Sequence, residues 1–430
     1  MMPTDRFDRQ LPVLLEELAQ PRTPDYFDDL IGLAARTRQR PAWTIPERWL
    51  PMVDVARQPV IVPRPWLRTV GLGLVLIALI LVAIAALVLG SRQNLPAPFG
   101  RAANGLVAFA RDGDIYVADP RGGTERLVLA GPETDVRPEW SLDGTRFVFE
   151  RKANGASGPG RLFTAKADGS DLTRVTTEPI ADIQMYAFSP DGREIVIAAG
   201  SDTMSRIHVA RSDGSGLRTL QTAFVIADEP VWRPPNGAEI LFSGAGPDLY
   251  RGLFAFDART FEVRTIIPAF SGRNVGGAKW SPDGSRIAYI LWFDAEVMTA
   301  RTHVISADGN HDLLLTMPTG AVWEAFNDWS NDGTRLVNVR GYTGGMEDVR
   351  AVVAPADGRD TGVEIDHPVS IQQECCSVWE WAPDDSAILG TPTDATGKVL
   401  LQVRLDLASG TSVPVPWTTN SHPAWQRVAP

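Results

Sequence analysis

One strand-and-turn pattern recurs seven times between residues 104 and 430, and it constrains the fold more than any other feature. Its clearest copy, residues 280–289, reads as an aromatic anchor, a Ser-Pro-Asp-Gly turn and an alternating apolar strand. The equivalent anchors are Trp140, Phe188, Trp232, Trp280, Trp329, Trp381 and Trp425. Their spacings of 48, 44, 48, 49, 52 and 44 residues suit one four-stranded blade per repeat. The pattern predicts an all-β chain folded as a seven-bladed β-propeller.

The turns support this prediction, because proline and glycine occupy the positions that a tight turn needs. A second turn, built on Asp-Gly, follows the first in register. It occurs at residues 168–169, 213–214, 308–309 and 357–358, with looser versions near Asp119, Asp257 and Ala408. An Asp in such a turn caps its own backbone, so we interpret these carboxylates as turn residues and not as calcium ligands.

The two ends of the repeat region complement each other. Residues 105–110 resemble the strand that follows an anchor, yet no anchor precedes them, and the last anchor, Trp425, has only five residues after it. We therefore expect the segment around 422–426 to be the inner strand of a blade whose other strands lie within 105–130. Such a closure removes the open edge of the sheet.

The Trp-Ser-Pro-Asp-Gly-Ser-Arg-Ile-Ala sequence at residues 280–288 resembles the WD40-like repeats of the periplasmic TolB family. The resemblance covers about three quarters of the chain. It implies a β-propeller, a fold that serves binding modules and enzymes alike.

A charge-free run at residues 69–91, rich in Leu, Ile, Val, Ala and Gly, is long enough to cross a bilayer. A polar tail precedes it, which favours an uncleaved anchor over a signal peptide. Three arginines lie shortly before the run and two shortly after it, a weak bias that places the N-terminus inside. These features predict a single-pass plasma-membrane protein with a cytoplasmic tail at 1–40, a Pro-rich linker at 41–68, a short linker at 92–103 and an extracytoplasmic propeller at 104–430.

The tail reads as two short helices that cannot bury a core of their own. Either they pack together against the membrane, or their apolar face docks a cytoplasmic regulator such as a sigma factor. The predicted docking face consists of Leu11, Leu14, Leu15, Leu18, Phe27, Leu30 and Ile31. The plan of a helical tail, one span and an external propeller is similar to that of transmembrane anti-sigma factors.

Composition and motifs restrict the function classes. Residues 69–430 hold 43 acidic and 31 basic residues, which argues against a nucleic-acid partner. The chain has no Gly-x-Ser-x-Gly elbow and no spare length for a hydrolase domain. Its five histidines are scattered, and His208 and His303 fall at equivalent strand positions, so no zinc site is expected.

Acidic and aromatic residues gather just before the anchors, where the inner strands of a propeller converge. The candidate face for a ligand or protein partner consists of Glu139, Asp228, Glu229, Trp323, Glu324, Asp328, Trp379 and Glu380, with Lys279 beside them. The carboxylates are either solvated loop groups or a site for a cationic ligand or divalent cation. Trp323 and Trp379 serve either as a stacking platform or in packing between blades.

Cys375 and Cys376 are the only cysteines, and as neighbours they form either a strained disulfide or two thiols. We expect no cofactor, and we expect a binding module for a protein or an unidentified small molecule. The alternatives are a metal-centred channel enzyme, similar to a lactonase or cyclotransferase, and a structural envelope protein.

Overall fold

A computed structural model of the protein describes residues 99–153, 158–201, 203–293, 299–343, 349–365, 378–391, 402–417, 419 and 422–429. Across these ranges no helix has the length and apolar character needed to cross a membrane. The predicted span at 69–91, the tail with its docking face, and the Cys375–Cys376 pair lie outside the described residues.

The described residues form 28 strands in seven four-stranded antiparallel sheets, which confirms the predicted seven-bladed propeller. We number the blades I to VII. Blade I contains β1 (Ala103–Arg111), β2 (Asp114–Ala118), β3 (Arg126–Leu129) and β28 (Ala424–Val428); blade II contains β4 (Thr134–Trp140), β5 (Arg146–Lys152), β6 (Gly160–Lys166) and β7 (Thr173–Arg174); blade III contains β8 (Ile183–Phe188), β9 (Glu194–Ser201), β10 (Met204–Arg211) and β11 (Leu217–Thr219); blade IV contains β12 (Ile226–Trp232), β13 (Glu239–Ala245), β14 (Arg251–Asp257) and β15 (Val263–Ile267). Blade V contains β16 (Arg273–Trp280), β17 (Arg286–Phe293), β18 (Arg301–Ser306) and β19 (Leu313–Leu314); blade VI contains β20 (Trp323–Trp329), β21 (Arg335–Gly341), β22 (Val349–Pro355) and β23 (Val363–Glu364); blade VII contains β24 (Val378–Trp381), β25 (Ala387–Thr391), β26 (Val403–Asp406) and β27 (Thr411–Pro414).

Blade I closes the ring as the sequence predicts. Its strand order is β28-β1-β2-β3, so the last strand of the chain is the innermost strand of the sheet that contains the first. The buried side chain of Gln426 strengthens the closure: its Oε1 accepts a hydrogen bond from Leu106 N at 3.0 Å, and its Nε2 donates to Gly144 O at 2.7 Å. One amide thus joins β28 to β1 and to the first turn of blade II.

The two predicted turns adopt the expected geometry. At the first turn, Gly284 has φ +70°, and Ser281 Oγ donates to Asp283 Oδ1 at 2.6 Å. At the second turn, Gly309 has φ +84°. Both kinds of turn lie on one face of the ring because the strands alternate in direction, and we call it the turn face. The opposite side, with the connections between second and third strands, is the loop face.

The first strands of neighbouring blades contact each other and surround a central channel. Five of the seven inner strand pairs contain a register shift a few residues before the anchor, for example between Val136 and Glu139 and between Phe326 and Asp328. In blade I the shift lies just after the anchor, between Trp425 and Arg427. After such a bulge, the side chains of the bulged strand alternate with the opposite phase, so each one lies on the other face of the sheet. The bulges therefore determine which residues face the channel.

Apolar clusters between adjacent blades form the core. One of them combines Leu253 and Ile267 of blade IV with Tyr289 and Ile305 of blade V. The anchors Trp140, Phe188, Trp232, Trp280, Trp329, Trp381 and Trp425 are all buried. The repeated aromatic residue is therefore a packing element.

Candidate functional site at the channel mouth

One ring of residues, each directly before an anchor, surrounds the turn-face end of the channel. Its members are Glu139, Ala187, Val231, Lys279, Asp328, Glu380 and Ala424. Four of them border a cavity of about 230 Å³, together with their anchors and with first-turn residues such as Ser141 and Asn331. We call this cavity and its lining the channel mouth. The sequence-predicted residues Glu139, Asp328 and Glu380 meet here.

The three carboxylates of the channel mouth have different partners. Asp328 Oδ1 accepts from Lys279 Nζ at 3.0 Å, across the boundary between blades V and VI. Glu380 Oε1 accepts from the backbone N–H of Trp425 at 3.1 Å, which ties it to the closing strand. The Glu139 carboxylate makes no hydrogen bond or ion pair with any other described residue. Arg427 also lines the cavity, so three acidic groups face one ammonium and one guanidinium, and the carboxylates outnumber the cations by one.

Two of these carboxyls have pKa values above the ordinary range for Glu. Burial raises the pKa of Glu380 to about 8, and the charge of nearby Glu139 adds to that rise. Burial also raises the pKa of Glu139 to about 7, against the opposing effect of Lys279. Glu139 keeps solvent contact along the channel, whereas Glu380 is half-buried, so Glu380 is the better-isolated of the two from bulk water.

Four tryptophans line the same cavity. Trp140 Nε1 donates to Ala424 O and Trp329 Nε1 donates to Lys279 O, both at 3.1 Å, so each of these indoles holds the ring position of the preceding blade. The buried N–H groups of Trp381 and Trp425 have no hydrogen-bond partner among the described residues. An acidic cavity suits an ammonium or guanidinium group, because its carboxylates attract cations.

Arg427 and Asn331 form part of the cavity wall. Arg427 Nη1 donates to Asn331 Oδ1 at 2.6 Å, and Nη2 donates to Gly100 O at 2.6 Å. The side chain of Asn331 donates in turn to Ala382 O at 2.9 Å. Blades I, VI and VII are therefore cross-linked at the turn face, which fixes the shape of this side of the mouth.

Two other predicted acidic residues, in blade IV, are committed to structural contacts. Asp228 is buried and pairs with Arg251 at 2.9 Å. Glu229 adopts φ +51° and accepts from Gly277 N at 2.8 Å, which joins blade IV to blade V beside the channel. Neither residue lines the channel mouth.

Glu324 also lies away from the mouth. It is 1% exposed, and its carboxylate accepts from Arg340 Nε and from Asn338 Nδ2, each at 2.6 Å. Arg340 is equally buried and extends to Thr361 O at 2.5 Å. Glu324 therefore belongs to a buried network inside blade VI.

Trp323 and Trp379 are buried as well, at 2% and 1% exposure. Both belong to the apolar cluster between blades VI and VII. Their placement favours packing between blades over the stacking platform.

Two channel neighbours were not among the candidate residues. Arg137 adopts φ +52°, and its side chain donates to Glu150 at 2.5 Å and to the carbonyls of Ile183 and Gln184 in blade III. His422 lies near Arg137, whose charge lowers the pKa of His422 further than burial alone does. Both residues lie three positions before an anchor, so an alignment of the repeats could have identified them.

The Arg–Trp stacks between neighbouring blades were not predicted from the sequence either. Arg286 lies over the ring of Trp329 at 5.0 Å, and Arg335 lies over Trp381 at 4.8 Å, each reaching the next blade. Both arginines stand six residues after an anchor, so the repeat spacing would have identified them. They stabilise contacts between blades on the turn face.

The described residues also bear on the metal-site and histidine predictions. Within the described ranges, no three His, Cys, Asp or Glu side chains are grouped closely enough to hold a metal ion. His208 and His303 lie on the third strands of blades III and V, as predicted.

Comparison with known proteins gives relatives for part of the chain. An uncharacterized protein of Agrobacterium fabrum is 27% identical over 194 residues, which are 42% of this chain and 63% of that protein. The Tol-Pal system protein TolB of Anaeromyxobacter dehalogenans is 29% identical over 239 residues, which are 53% of this chain and 49% of that protein. In sequence, the propeller is TolB-like. The chain spans less than two thirds of the length of these relatives, and no family model matches it.

Solved structures show the same fold. An oligogalacturonate lyase in complex with manganese superimposes with a TM-score of 0.52 at 17% identity, covering 74% of this chain and 89% of that one. At this identity the likeness concerns the fold alone.

Proposed function

We propose that this TolB-like propeller is a binding module, without a cofactor of its own, that holds a basic segment of a protein partner at the channel mouth. The observation that carries the proposal is the convergence of Glu139, Asp328 and Glu380 on one tryptophan-lined cavity. A cavity of about 230 Å³ accommodates a side chain rather than a folded domain. A lysine or arginine that projects from a partner lying on the turn face fits both its size and its charge.

The sequence similarity to TolB proteins supports a role in the bacterial envelope. The uncharged run at 69–91 supports attachment to the plasma membrane with the propeller outside and the N-terminus in the cytoplasm. In this proposal the tail at 1–40 docks a cytoplasmic regulator such as a sigma factor through its apolar residues.

Site-specific photo-crosslinking in cells tests where the partner binds. A photoreactive residue at Leu142, which lines the mouth, should capture a protein that mass spectrometry identifies. The same residue at Val363, on the outermost strand of blade VI and 73% exposed, should not capture it. Equal capture at both positions, or none at Leu142, would contradict a partner at the mouth.

A truncation separates the two ends of the chain. Affinity capture of the full-length protein from crosslinked membranes should recover a cytoplasmic regulator, and deletion of residues 1–40 should abolish that recovery. Recovery that is unchanged by the deletion would argue against docking by the tail while leaving the channel-mouth proposal in place.

A further inference from the structure

The positive charges near the channel mouth have other partners, so Glu139 and Glu380 form no ion pair with a described residue. Arg427, which lines the same cavity, donates to Asn331 Oδ1 and to Gly100 O. Lys279 is 3.0 Å from Asp328. Arg137 is bound to Glu150 and to two carbonyls of blade III. Glu139 and Glu380 line the same cavity. Of the two carboxyls, only that of Glu380 accepts a hydrogen bond, from Trp425 N.

Every element around the pair contributes a charged or titratable group. They are Arg137 beside Glu139 on β4, Tyr186 on β8, Lys279 on β16, Asp328 on β20, His422 before β28 and Arg427 on β28. Asp328 adds repulsion and Lys279 adds attraction, but Lys279 is held by Asp328 itself. A proton is the smallest cation that removes the remaining repulsion.

We infer that the Glu139–Glu380 pair carries one exchangeable proton at neutral pH and releases it when a cationic group enters the channel mouth. The second half of this inference rests on the proposed function. A partner lysine or arginine supplies the positive charge that the proton supplied, so binding of the partner and loss of the proton are coupled. The partner is therefore held more tightly as the pH rises and is released in acid.

The direction of the pKa shifts agrees with this geometry. Carboxyl pKa values raised to about 7 for Glu139 and about 8 for Glu380 mean that the folded protein binds more protons than the unfolded chain above the ordinary Glu range. The contribution of the pair to stability is therefore highest below the ordinary Glu pKa, is lost as the pH rises through the folded values, and is level beyond them. Because the two carboxyls interact, the loss of one proton is a property of the pair.

The free full-length protein tests the proton site without any partner. Infrared difference spectra should contain a protonated-carboxyl band that disappears on titration through pH 7 to 8, and Glu380→Gln should remove the part of that band that titrates at the higher pH. The matched control Glu178→Gln, at an exposed surface glutamate, should retain it. A band that is identical in wild type and Glu380→Gln, or that is absent at pH 6, would overturn the inference.

Glu139→Gln supplies a second variant, in case Glu380→Gln does not fold. Loss of the neighbouring charge should move the titration of Glu380 to lower pH, by about one unit for a strongly interacting pair. An unmoved titration would show that the two carboxyls do not share a proton site.

Binding of a penta-lysine peptide measured at pH 6 and pH 9 tests the coupling. Tighter binding at pH 9 with proton release supports it, and equal affinity at both values overturns the coupling. Failure of the peptide to bind at either pH contradicts the proposed function, whereas the infrared titration still decides the proton site.

Discussion

Two glycines on the second strands of blades VI and VII lie beneath tryptophan rings. Gly341 pairs across the sheet with Trp323, and Gly390 pairs with Trp379. A Cβ built on Gly390 would lie 2.5 Å from Cζ3 of Trp379. The absence of a side chain at these positions is therefore what allows the buried indoles to cross the strand.

Gly390→Ala should consequently destabilise the propeller. The methyl group must displace a fully buried indole, and overpacking of this kind costs about 1–3 kcal/mol. Gly216→Ala is the matched control, because a Cβ there meets no atom within 4 Å. Chemical denaturation of both variants measures the difference, and equal free energies of unfolding would show that Trp379 yields without cost.

The buried Glu324–Arg340 pair makes a second prediction at this scale. Arg340→Met removes the guanidinium and leaves a carboxylate with 1% exposure whose pKa burial already raises. Breaking a buried pair from one side costs about 3–5 kcal/mol. Arg350→Met, at a half-exposed arginine that pairs with Glu364, should cost about 1 kcal/mol or less. Thermal unfolding of the two variants should differ accordingly, and similar melting temperatures would contradict a structural role for Glu324.

At the scale of elements, the attachment of the closing strand β28 to its neighbours depends strongly on the side chain of Gln426. Its five residues pair with β1 across a register shift, and Gln426 supplies hydrogen bonds on both sides of that irregular pairing. Gln426→Met keeps the volume but leaves Leu106 N and Gly144 O without this partner. Such a loss costs about 1–3 kcal/mol.

The measurement is urea unfolding of Gln426→Met beside Gln221→Met, a control at an exposed glutamine. The former should also expose the end strands to proteolysis near residues 103–111 before the remainder of the ring is cut. Protection equal to wild type would indicate that backbone pairing alone closes the ring.

The blades and their closure could be read from the sequence because each repeat carries its own turn and anchor. Gly284, Gly309 and the anchor Trp280 act locally, through φ angles and burial that a short window of sequence encodes. The position of each bulge could not be read in this way. In blade VI the shift between Phe326 and Asp328 leaves Asp328 at the channel while Glu324, four residues earlier, is buried against Arg340. Period two alone places these two carboxylates on the same side.

For the whole molecule, the acidic channel mouth adds a local field to a chain that is negative overall. A basic partner is attracted by both, and only the local part depends on which carboxylate is removed. Asp328→Asn removes one negative charge from the mouth and frees Lys279 to interact with Glu139 and Glu380. Asp112→Asn makes the same change in net charge at an exposed turn on the loop face, where asparagine tolerates the φ of +54°.

Asp328→Asn should therefore weaken the binding of penta-lysine by up to about fivefold, the range expected for one partly solvated ion pair. Asp112→Asn should leave it within error of wild type. Isothermal titration at low and at physiological ionic strength measures both. Losses that are equal in the two variants and vanish together in salt would mean that net charge alone attracts the peptide. A loss confined to Asp328→Asn would place the basic group at the channel mouth, since Asp112 lies at the other end of the propeller.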